Sequence, residues 1–266
     1  DMGNVFYYQG DYIEAQKHFT QGLKDFELLK YKLGLALAHH ALGNVAYSQA
    51  ISDADLDVAE KEYEEALAIN RDDLKAALGV ARNRYQLGVI AQRRGRDREA
   101  KEAYTEVETI ARREKDLSLL AATLHQLGRL DLAAGNLTDA SSRANQALEF
   151  ARQVEDRLSE VSALSLIGLI AARQGNETEA REKLQTAQAA FRDLNAPEAI
   201  KVGKLLEELE RRLSSPSVQI EQKISPQDYV DIMQQQQDDG GGVGGGVSID
   251  VIPAPSDDSY SGIDVM

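Results

Sequence analysis

A pattern of small residues recurs along most of the chain and constrains the fold more than any other feature. In its clearest copy, Leu127–Ala147, a leucine and glycine pair is followed by a second glycine after seven residues and by an alanine after twelve. The first glycine of the pattern recurs at Gly3, Gly43, Gly88, Gly128 and Gly168. Because self-similarity at a fixed period is typical of stacked structural units, we expect a repeat array rather than a single closed core.

The spacing of the glycines predicts five helical hairpins. The intervals between successive first glycines are 40, 45, 40 and 40 residues. Polar residues follow the second glycine, and a glycine at that place suits the left-handed conformation that ends many helices. The second glycine occurs at Gly10, Gly95, Gly135 and Gly175. Each repeat is therefore expected to be two helices joined by a tight turn.

The second and fourth repeats depart from the pattern. In the second repeat the alanine comes sixteen residues after the first glycine, at Ala59, so we expect four extra residues in the turn around Ser52–Asp55. In the fourth repeat Ala144 replaces a large side chain, and a neighbour must fill the space or the layer is loosely packed. The large residues of the other repeats are Phe19, Tyr63, Tyr104 and Leu184.

This arrangement of glycines and alanines resembles the tetratricopeptide repeat family. The segment Gly3–Leu23, GNVFYYQGDYIEAQKHFTQGL, is close to the family pattern throughout, and the period of about 40 residues resembles the long-helix subgroup. The resemblance implies an all-α fold, a right-handed α-solenoid of five helix pairs over residues 1–195. The repeats are expected near residues 1–31, 32–71, 72–116, 117–156 and 157–195.

Two different segments are expected after the array. Residues 196–213 form an amphipathic pattern, so we expect a helix that caps the last repeat with one apolar side. From residue 214 to 266 nine acidic residues stand against Lys223 alone, which predicts a mostly disordered, Gln- and Gly-rich acidic tail. The apolar side of the capping helix is expected to contain Ile200, Leu205, Leu206, Leu209 and Leu213.

The acidic composition limits the partners of this chain. Its formal net charge of −14 argues against nucleic acid and anionic membranes. The chain has no cysteine, and no apolar run approaches the ~20 residues that span a bilayer. We therefore expect a cytoplasmic protein with protein or peptide partners.

No group of residues in the sequence suggests catalysis. The chain contains neither the glycine-rich loop that cradles phosphate nor the GxSxG sequence of hydrolases. His39 and His40 are adjacent, so they project in different directions from a helix, and neither has an acidic partner at the spacing of a metal site. We predict that the chain is not an enzyme and binds neither a cofactor nor a metal.

The family resemblance implies a concave groove that is lined by the first helix of each repeat and binds a peptide or protein segment. Counting from the first glycines places thirteen residues there: Asn4, Tyr7, Tyr8, His40, Asn44, Tyr47, Arg82, Tyr85, Gln92, Arg93, His125, Arg129 and Arg173. Arginine binds carboxylates through two parallel hydrogen bonds, and tyrosine provides rigid contact area. We predict an acidic ligand. The other interpretation is that these residues only form the solvated faces of helices.

A subset of the family, the carboxylate-clamp domains, binds the C-termini of chaperones through two asparagines and several basic residues. Asn4 and Asn44 match the two asparagines, and Arg82 matches one basic position. Gln86 stands where another basic residue belongs. The clamp is incomplete, so the sequence does not predict chaperone binding.

The tail contains two near-copies of an acidic and apolar sequence. We hypothesise that they dock in the chain's own groove, or in that of a neighbour, and compete with an external ligand; an acidic segment without such a role is the other interpretation. Self-association through the first repeat is a further possibility. The residues in question are Ile249, Asp250, Val251, Ile263, Asp264 and Val265.

A second class of function remains open from the sequence. The first residues, DMGNVFYYQG, read like the middle of a helix, so we expect a fragment of a longer array. In that case the repeats are a regulatory or sensor array of a larger signalling protein, in which they restrain an attached effector domain.

Overall fold

The computed structural model describes residues 2–196 and 198–214. Within these residues the chain forms eleven α-helices, one π-helical turn and no β-strand, so the predicted all-α fold is confirmed. The described chain divides into two compact parts, which we call the amino-terminal body, up to Arg94, and the carboxyl-terminal body, from Gly95 onward. The predicted tail after residue 214 and its two acidic and apolar sequences lie outside the described residues.

The amino-terminal body contains five α-helices and the π-helical turn. Each α-helix packs against the next one in the chain. Part of the core between them is formed by Ala15 and Phe19 against Ala41, Leu42 and Val45. The elements are α1 (Met2–Tyr8), α2 (Tyr12–Leu29), α3 (Lys32–Gln49), α4 (Asp53–Ala68), the π-helical turn (Ile69–Leu74) and α5 (Ala77–Arg93).

The carboxyl-terminal body contains the remaining six described helices. They too pack in consecutive order, and α7 also contacts α9, the first helix of the next repeat. The helices are α6 (Asp97–Glu114), α7 (Leu117–Ala133), α8 (Leu137–Gln153), α9 (Arg157–Gln174), α10 (Glu177–Asp193) and α11 (Glu198–Ser214).

The glycine turns between the two helices of a repeat are formed as predicted. Gly10, Gly95, Gly135 and Gly175 have φ between +69° and +82°. At the end of α7, Gly135 N–H donates to Leu132 O (3.1 Å) and Asn136 N–H donates to Asp131 O (2.8 Å). This pair of bonds satisfies two terminal carbonyls of the helix and requires a left-handed residue at the glycine.

The second helices also end in a left-handed residue, which the sequence analysis did not identify. None of these residues is glycine, although side chains with a Cβ pay about 1–2 kcal/mol for this conformation. They are Lys30, Lys75, Lys115, Glu155 and Asn195, with φ between 53° and 60°. Because these residues occupy the same position in every repeat, the connection to the next repeat, and not the residue type, determines their backbone conformation.

The four extra residues of the second repeat lie mainly in α4 and not in the turn before it. In the fourth repeat, α8 begins three residues before Ala140, whereas α4 begins six residues before Ala59. Three of the extra residues therefore lengthen α4 by almost one turn. The fourth lengthens α3, because the connection between the two helices contains three residues in both repeats. The longer helix is stabilised by a capping box, in which Ser52 Oγ accepts from Asp55 N–H and Asp55 Oδ2 accepts from Ser52 N–H.

The π-helical turn accounts for the fifth extra residue of the second repeat. Fifteen residues separate the alanine from the left-handed residue in the other repeats, but sixteen separate Ala59 from Lys75. A π-helical turn contains one more residue than an α-helical turn, so it absorbs the insertion locally. The buried Asn70 side chain fixes this turn, because Nδ2 donates to Ala66 O (2.9 Å) and the amide packs on Gly79.

The space next to Ala144 is filled by a neighbour, as the sequence required. In three other repeats the first glycine faces the large residue of its own second helix, for example Gly43 against Tyr63. In the fourth repeat Gly128 instead faces Leu166 of α9, whose Cδ2 would lie 3.1 Å from a Cβ at the glycine. The buried Leu166 packs in one cluster with Ala144. The following repeat therefore completes this layer.

The helix after the fifth repeat packs on α10, but one of its predicted contact residues is misplaced. Leu206 and Leu209 are buried as expected, whereas the Ile200 side chain is 69% exposed. Ala199 and Val202 take the contact positions at the start of α11. These two residues continue the stripe of Leu206 and Leu209 at intervals of three and four residues, and Ile200 is rotated away from that stripe.

Candidate interaction surface

Charge is separated between the first and the second helices of the repeats. In the amino-terminal body, α1, α3 and α5 contain no acidic residue, whereas α2 and α4 contain ten acidic and three basic residues. The basic residues of the three first helices are Lys32, Arg82, Arg84 and Arg93. In a chain with a net charge of −14, this leaves one set of helices positive and the other strongly negative.

The carboxyl-terminal body has the same separation in a weaker form. Its first helices, α7 and α9, carry three arginines against Asp131 and Glu160, whereas α6, α8 and α10 carry twelve acidic and nine basic residues. The three arginines are Arg129, Arg157 and Arg173.

Both acidic residues of α7 and α9 are held by cations. Lys101 Nζ lies 2.7 Å from Asp131 Oδ1 and Arg143 Nε lies 3.3 Å from Asp131 Oδ2, with the carboxylate 1% exposed. Arg152 and Arg157 donate to the two oxygens of Glu160 at 3.0 and 2.8 Å. Burial opposes these bonds, but they lower the pKa of Glu160 below its ordinary value.

Two of the predicted groove residues form buried contacts inside the amino-terminal body. His40 Nδ1 lies 2.9 Å from Asn83 Oδ1, and the Tyr63 hydroxyl donates to Asn44 Oδ1 at 2.8 Å. Asn83 Nδ2 in turn donates to Gly79 O at 2.8 Å. Because both residues are buried, their polar atoms join α3 to α4 and α5, a structural role that sequence spacing alone did not indicate.

Two more predicted groove residues, Tyr47 and Tyr85, are buried, and a third, Arg93, supports the turn of the second repeat. Arg93 Nη2 donates to Ala50 O at 2.5 Å, and its guanidinium lies 5.4 Å from the centre of the Tyr47 ring. Ala50 replaces the turn glycine of the other repeats. Arg93 therefore satisfies a helix-end carbonyl there and adds a cation–π contact.

Arg94 supports the same turn and was not predicted from the sequence. Its buried guanidinium donates to Glu60 Oε2 at 2.6 Å, to Asp57 Oδ1 at 2.5 Å and to Asp53 O at 3.1 Å. The signal in the sequence was the pair Arg93–Arg94 at the end of α5, the helix that follows the acidic α4. Which carboxylates Arg94 contacts depends on the fold.

The tyrosines of α1 lie in an aromatic cluster. The Tyr7 hydroxyl is 3.1 Å from Ser48 Oγ, and the Tyr7 ring lies 5.6 Å from the rings of both Tyr8 and Tyr12. Burial raises the pKa of Tyr7 to about 12, although the Ser48 contact lowers it, so the phenol is neutral at physiological pH. Tyr8 is 54% exposed, whereas Tyr7 and Tyr12 are partly buried, so Tyr8 is the most accessible ring of the three. Asn4, four residues before Tyr8 on the same helix, is partly buried.

The remaining predicted residues are partly buried on α5, α7 and α9. Arg82 and Gln92 belong to α5, and Arg173 belongs to the last turn of α9. On α7, His125 and Arg129 are four residues apart and share one face.

The surroundings of Arg129 include a buried glutamine that the sequence analysis missed. Arg129 Nη1 donates to Gln126 Oε1 at 3.0 Å, and Gln126 is 1% exposed. Burial and, to a lesser degree, the charge of Arg129 lower the pKa of His125 to about 3, so its imidazole is neutral at physiological pH. Among the predicted residues, the structure therefore brings together one cation and one neutral ring on α7.

The described residues contain neither a metal cluster nor a membrane helix. No group of three histidine, cysteine or acidic side chains in residues 2–196 and 198–214 is arranged to hold a metal ion. No helix in the same part of the chain has both the length and the apolar character needed to cross a bilayer.

The comparisons with known proteins agree with the helical hairpins. Models of the tetratricopeptide repeat match residues 1–47 and residues 119–193. A crystal structure of BtubC (BKLC) from P. vanneervenii is similar with a TM-score of 0.60 and 17% sequence identity, covering 73% of this chain and 78% of that chain. At this identity the likeness shows the fold alone. No curated protein matches the sequence. With matches in both bodies and five registered hairpins, the chain belongs to the tetratricopeptide repeat family and is a protein–protein interaction scaffold.

Proposed function

We propose that this scaffold binds an acidic peptide or protein segment on the first helices of its repeats. The separation of charge carries the proposal: α1, α3 and α5 contain four basic residues and no acidic one within a chain of net charge −14. The same separation, in a weaker form, holds for α7 and α9. Within each body, the first helices therefore attract an acidic segment, whereas the acidic second helices repel it.

The residues that we propose as ligand contacts are a subset of those predicted from the sequence. They form one set in each body: the accessible Tyr8 of α1 and the partly buried Arg82 of α5 in the amino-terminal body, and the partly buried Arg129 of α7 and Arg173 of α9 in the carboxyl-terminal body. A guanidinium presents a planar set of donors to a carboxylate, and a tyrosine adds apolar contact. The buried His40, Asn44, Tyr47 and Tyr85 support these helices from within.

We further propose that the chain's own tail competes for the same helices. Nine acidic residues and one lysine give residues 214–266 a charge opposite to that of the first helices. A ligand on the same chain acts at a high effective concentration through a flexible linker, and DDGGGVGGGV at 238–247 has the composition of one.

The test uses the full chain and a probe taken from the tail. The probe is the fluorescein-labelled peptide DDSYSGIDVM, which corresponds to residues 257–266. In the tail-neutral chain, which remains full-length, Asp250, Asp257, Asp258 and Asp264 are changed to Asn to remove the internal competitor. If the tail competes, the tail-neutral chain binds the probe at least about tenfold more tightly than the wild type; equal affinity contradicts the competition.

Charge reversal then locates the site. Arg129→Glu with Arg173→Glu in the tail-neutral chain is expected to weaken probe binding about 10- to 100-fold, since two favourable charge contacts become repulsive. The matched control is Arg98→Glu combined with Arg181→Glu, the same change in charge on the second helices α6 and α10, where the Arg98 side chain is 95% exposed. Equal losses in the two double variants would place the effect in net charge and contradict a site on the first helices.

A further inference from the structure

The contact between Gln126 and Arg129 is the starting point of a further inference. Gln126 is 1% exposed among apolar neighbours of α7, and its Oε1 accepts from Arg129 Nη1 at 3.0 Å. A buried amide is stable only when it is hydrogen-bonded, so this oxygen requires a donor. One nitrogen of the Arg129 guanidinium therefore donates to a side chain that is buried on α7.

The two other titratable side chains of α7 are either engaged with other cations or neutral. Asp131, the single acidic residue of α7, is held by Lys101 and Arg143 from α6 and α8. His125, on the same face as Arg129, is a neutral ring that adds no second charge. Gln126 is a neutral acceptor, so it orients the guanidinium without cancelling the positive charge. A carboxylate at the same place would cancel that charge.

We propose that Gln126 is a positioning residue for the ligand: it holds the Arg129 guanidinium in the orientation that receives a carboxylate of the acidic segment. This inference rests on the proposed function. An arginine whose plane is already fixed loses less conformational entropy when a two-pronged contact with a carboxylate forms, so the bond to Gln126 raises affinity without touching the ligand.

The test is a double-mutant cycle in the tail-neutral chain with the DDSYSGIDVM probe. Gln126→Met keeps the length of the side chain and removes the acceptor, and Arg129→Met removes the cation. Gln126→Met is expected to weaken binding about 3- to 10-fold in the presence of Arg129 and to have no further effect in the Arg129→Met background. Thermal unfolding of all four proteins verifies that each is folded.

A second variant separates positioning from packing. Gln126→Glu preserves size and the acceptor oxygen but places a negative charge against Arg129, so the affinity should fall further than with Gln126→Met and should depend less on salt. A packing role predicts instead that Gln126→Glu and Gln126→Met affect binding only in proportion to the loss of thermal stability, which would overturn the proposal.

The outcomes distinguish this inference from the proposed function. If the tail-neutral chain does not bind the probe, or if Arg129→Met binds it as tightly as the parent, the proposed function fails. If Arg129→Met weakens binding while Gln126→Met does not, or if Gln126→Met has the same effect with and without Arg129, the positioning role alone fails.

Discussion

Individual residues in this protein have roles that depend on partners far away in the sequence. Asn44 and His40 follow and precede a repeat glycine, which predicted an outward position, yet they contact Tyr63 and Asn83 in neighbouring helices. Spacing within one helix gives only the direction of a side chain and not the identity of the residue it meets. For this reason the spacing placed the arginines on the first helices, but it could not indicate that Arg93 contacts the Ala50 carbonyl and the Tyr47 ring.

The repeat glycines differ in how much they tolerate a side chain. A Cβ at Gly43 would lie 2.7 Å from the buried Tyr63 ring, which is also held by its bond to Asn44, whereas a Cβ at Gly128 would lie 3.1 Å from the end of the Leu166 side chain. We expect Gly43→Ala to lower the free energy of unfolding by about 1–3 kcal/mol through overpacking. Gly128→Ala is expected to change it by less than about 1 kcal/mol, because Leu166 is able to move and alanine favours the helix. Urea denaturation of both variants measures the difference, and a larger loss for Gly128→Ala would show that the packing described is wrong.

The buried carboxylate of Asp131 links three helices. Asp131→Asn removes the charge that Lys101 and Arg143 share, and the buried part of Arg143 loses its counter-charge. We expect the free energy of unfolding to fall by about 2–4 kcal/mol, less than for a fully buried pair because Lys101 is exposed to solvent on one side. The exposed pair Arg98 and Glu102 is the control: Glu102→Gln should leave the unfolding midpoint in urea nearly unchanged. A similar shift for both variants would contradict a special role for Asp131.

The pH dependence of stability carries a signature of His125. Its pKa is lowered from 6.5 to about 3 in the folded chain, so between these values the unfolded chain binds more protons than the folded one. Stability therefore rises with pH through this window and is lost on acidification below about pH 6.5. His125→Asn is expected to flatten the curve of unfolding free energy between pH 3.5 and pH 6.5, as followed by urea titrations at several pH values. An unchanged slope would mean that His125 titrates normally.

At the scale of the helical elements, the repeat pattern predicted the features that depend on the type of a single residue. The turn between the two helices of a repeat needs a left-handed residue, and glycine adopts that conformation without strain. Four of these turns were therefore predicted from their glycines, and all four glycines have positive φ. The left-handed residue at the end of each second helix was missed, because lysine and glutamate at Lys30, Lys75, Lys115 and Glu155 have no preference for that conformation. The π-helical turn was also missed, since one inserted residue becomes visible only when both ends of the helix are known.

The left-handed lysine after α6 offers a test of this account. Lys115 has a φ of 60°, so Lys115→Gly relieves backbone strain in the folded chain. The same change increases the conformational entropy of the unfolded chain, which offsets part of the gain. We expect a net increase of about 0.5–1 kcal/mol in the free energy of unfolding, measured in urea. Lys115→Ala, which removes the side chain but keeps the Cβ, should give no such increase. If alanine and glycine are equally stabilising, the effect comes from the lysine side chain and not from the backbone.

At the scale of the whole molecule, net charge and charge distribution make opposite predictions. A protein of net charge −14 should repel an acidic segment, whereas its first helices, which carry all three arginines proposed as contacts, should attract one. Composition gave only the first of these quantities. The distribution of charge depends on which residues lie on the first helices. The spacing of the repeats predicted those residues in outline, and the helix bounds completed the assignment.

The measurement that tests this central claim most directly compares two peptides on the tail-neutral chain. One is DDSYSGIDVM, and the other is NNSYSGINVM, in which each aspartate is replaced by asparagine. We predict that the acidic peptide binds at least about tenfold more tightly in 20 mM salt and that this advantage shrinks in 500 mM salt, because screening weakens exposed charge contacts. Equal affinities at low salt, or tighter binding of the neutral peptide, would contradict an acidic ligand on the first helices.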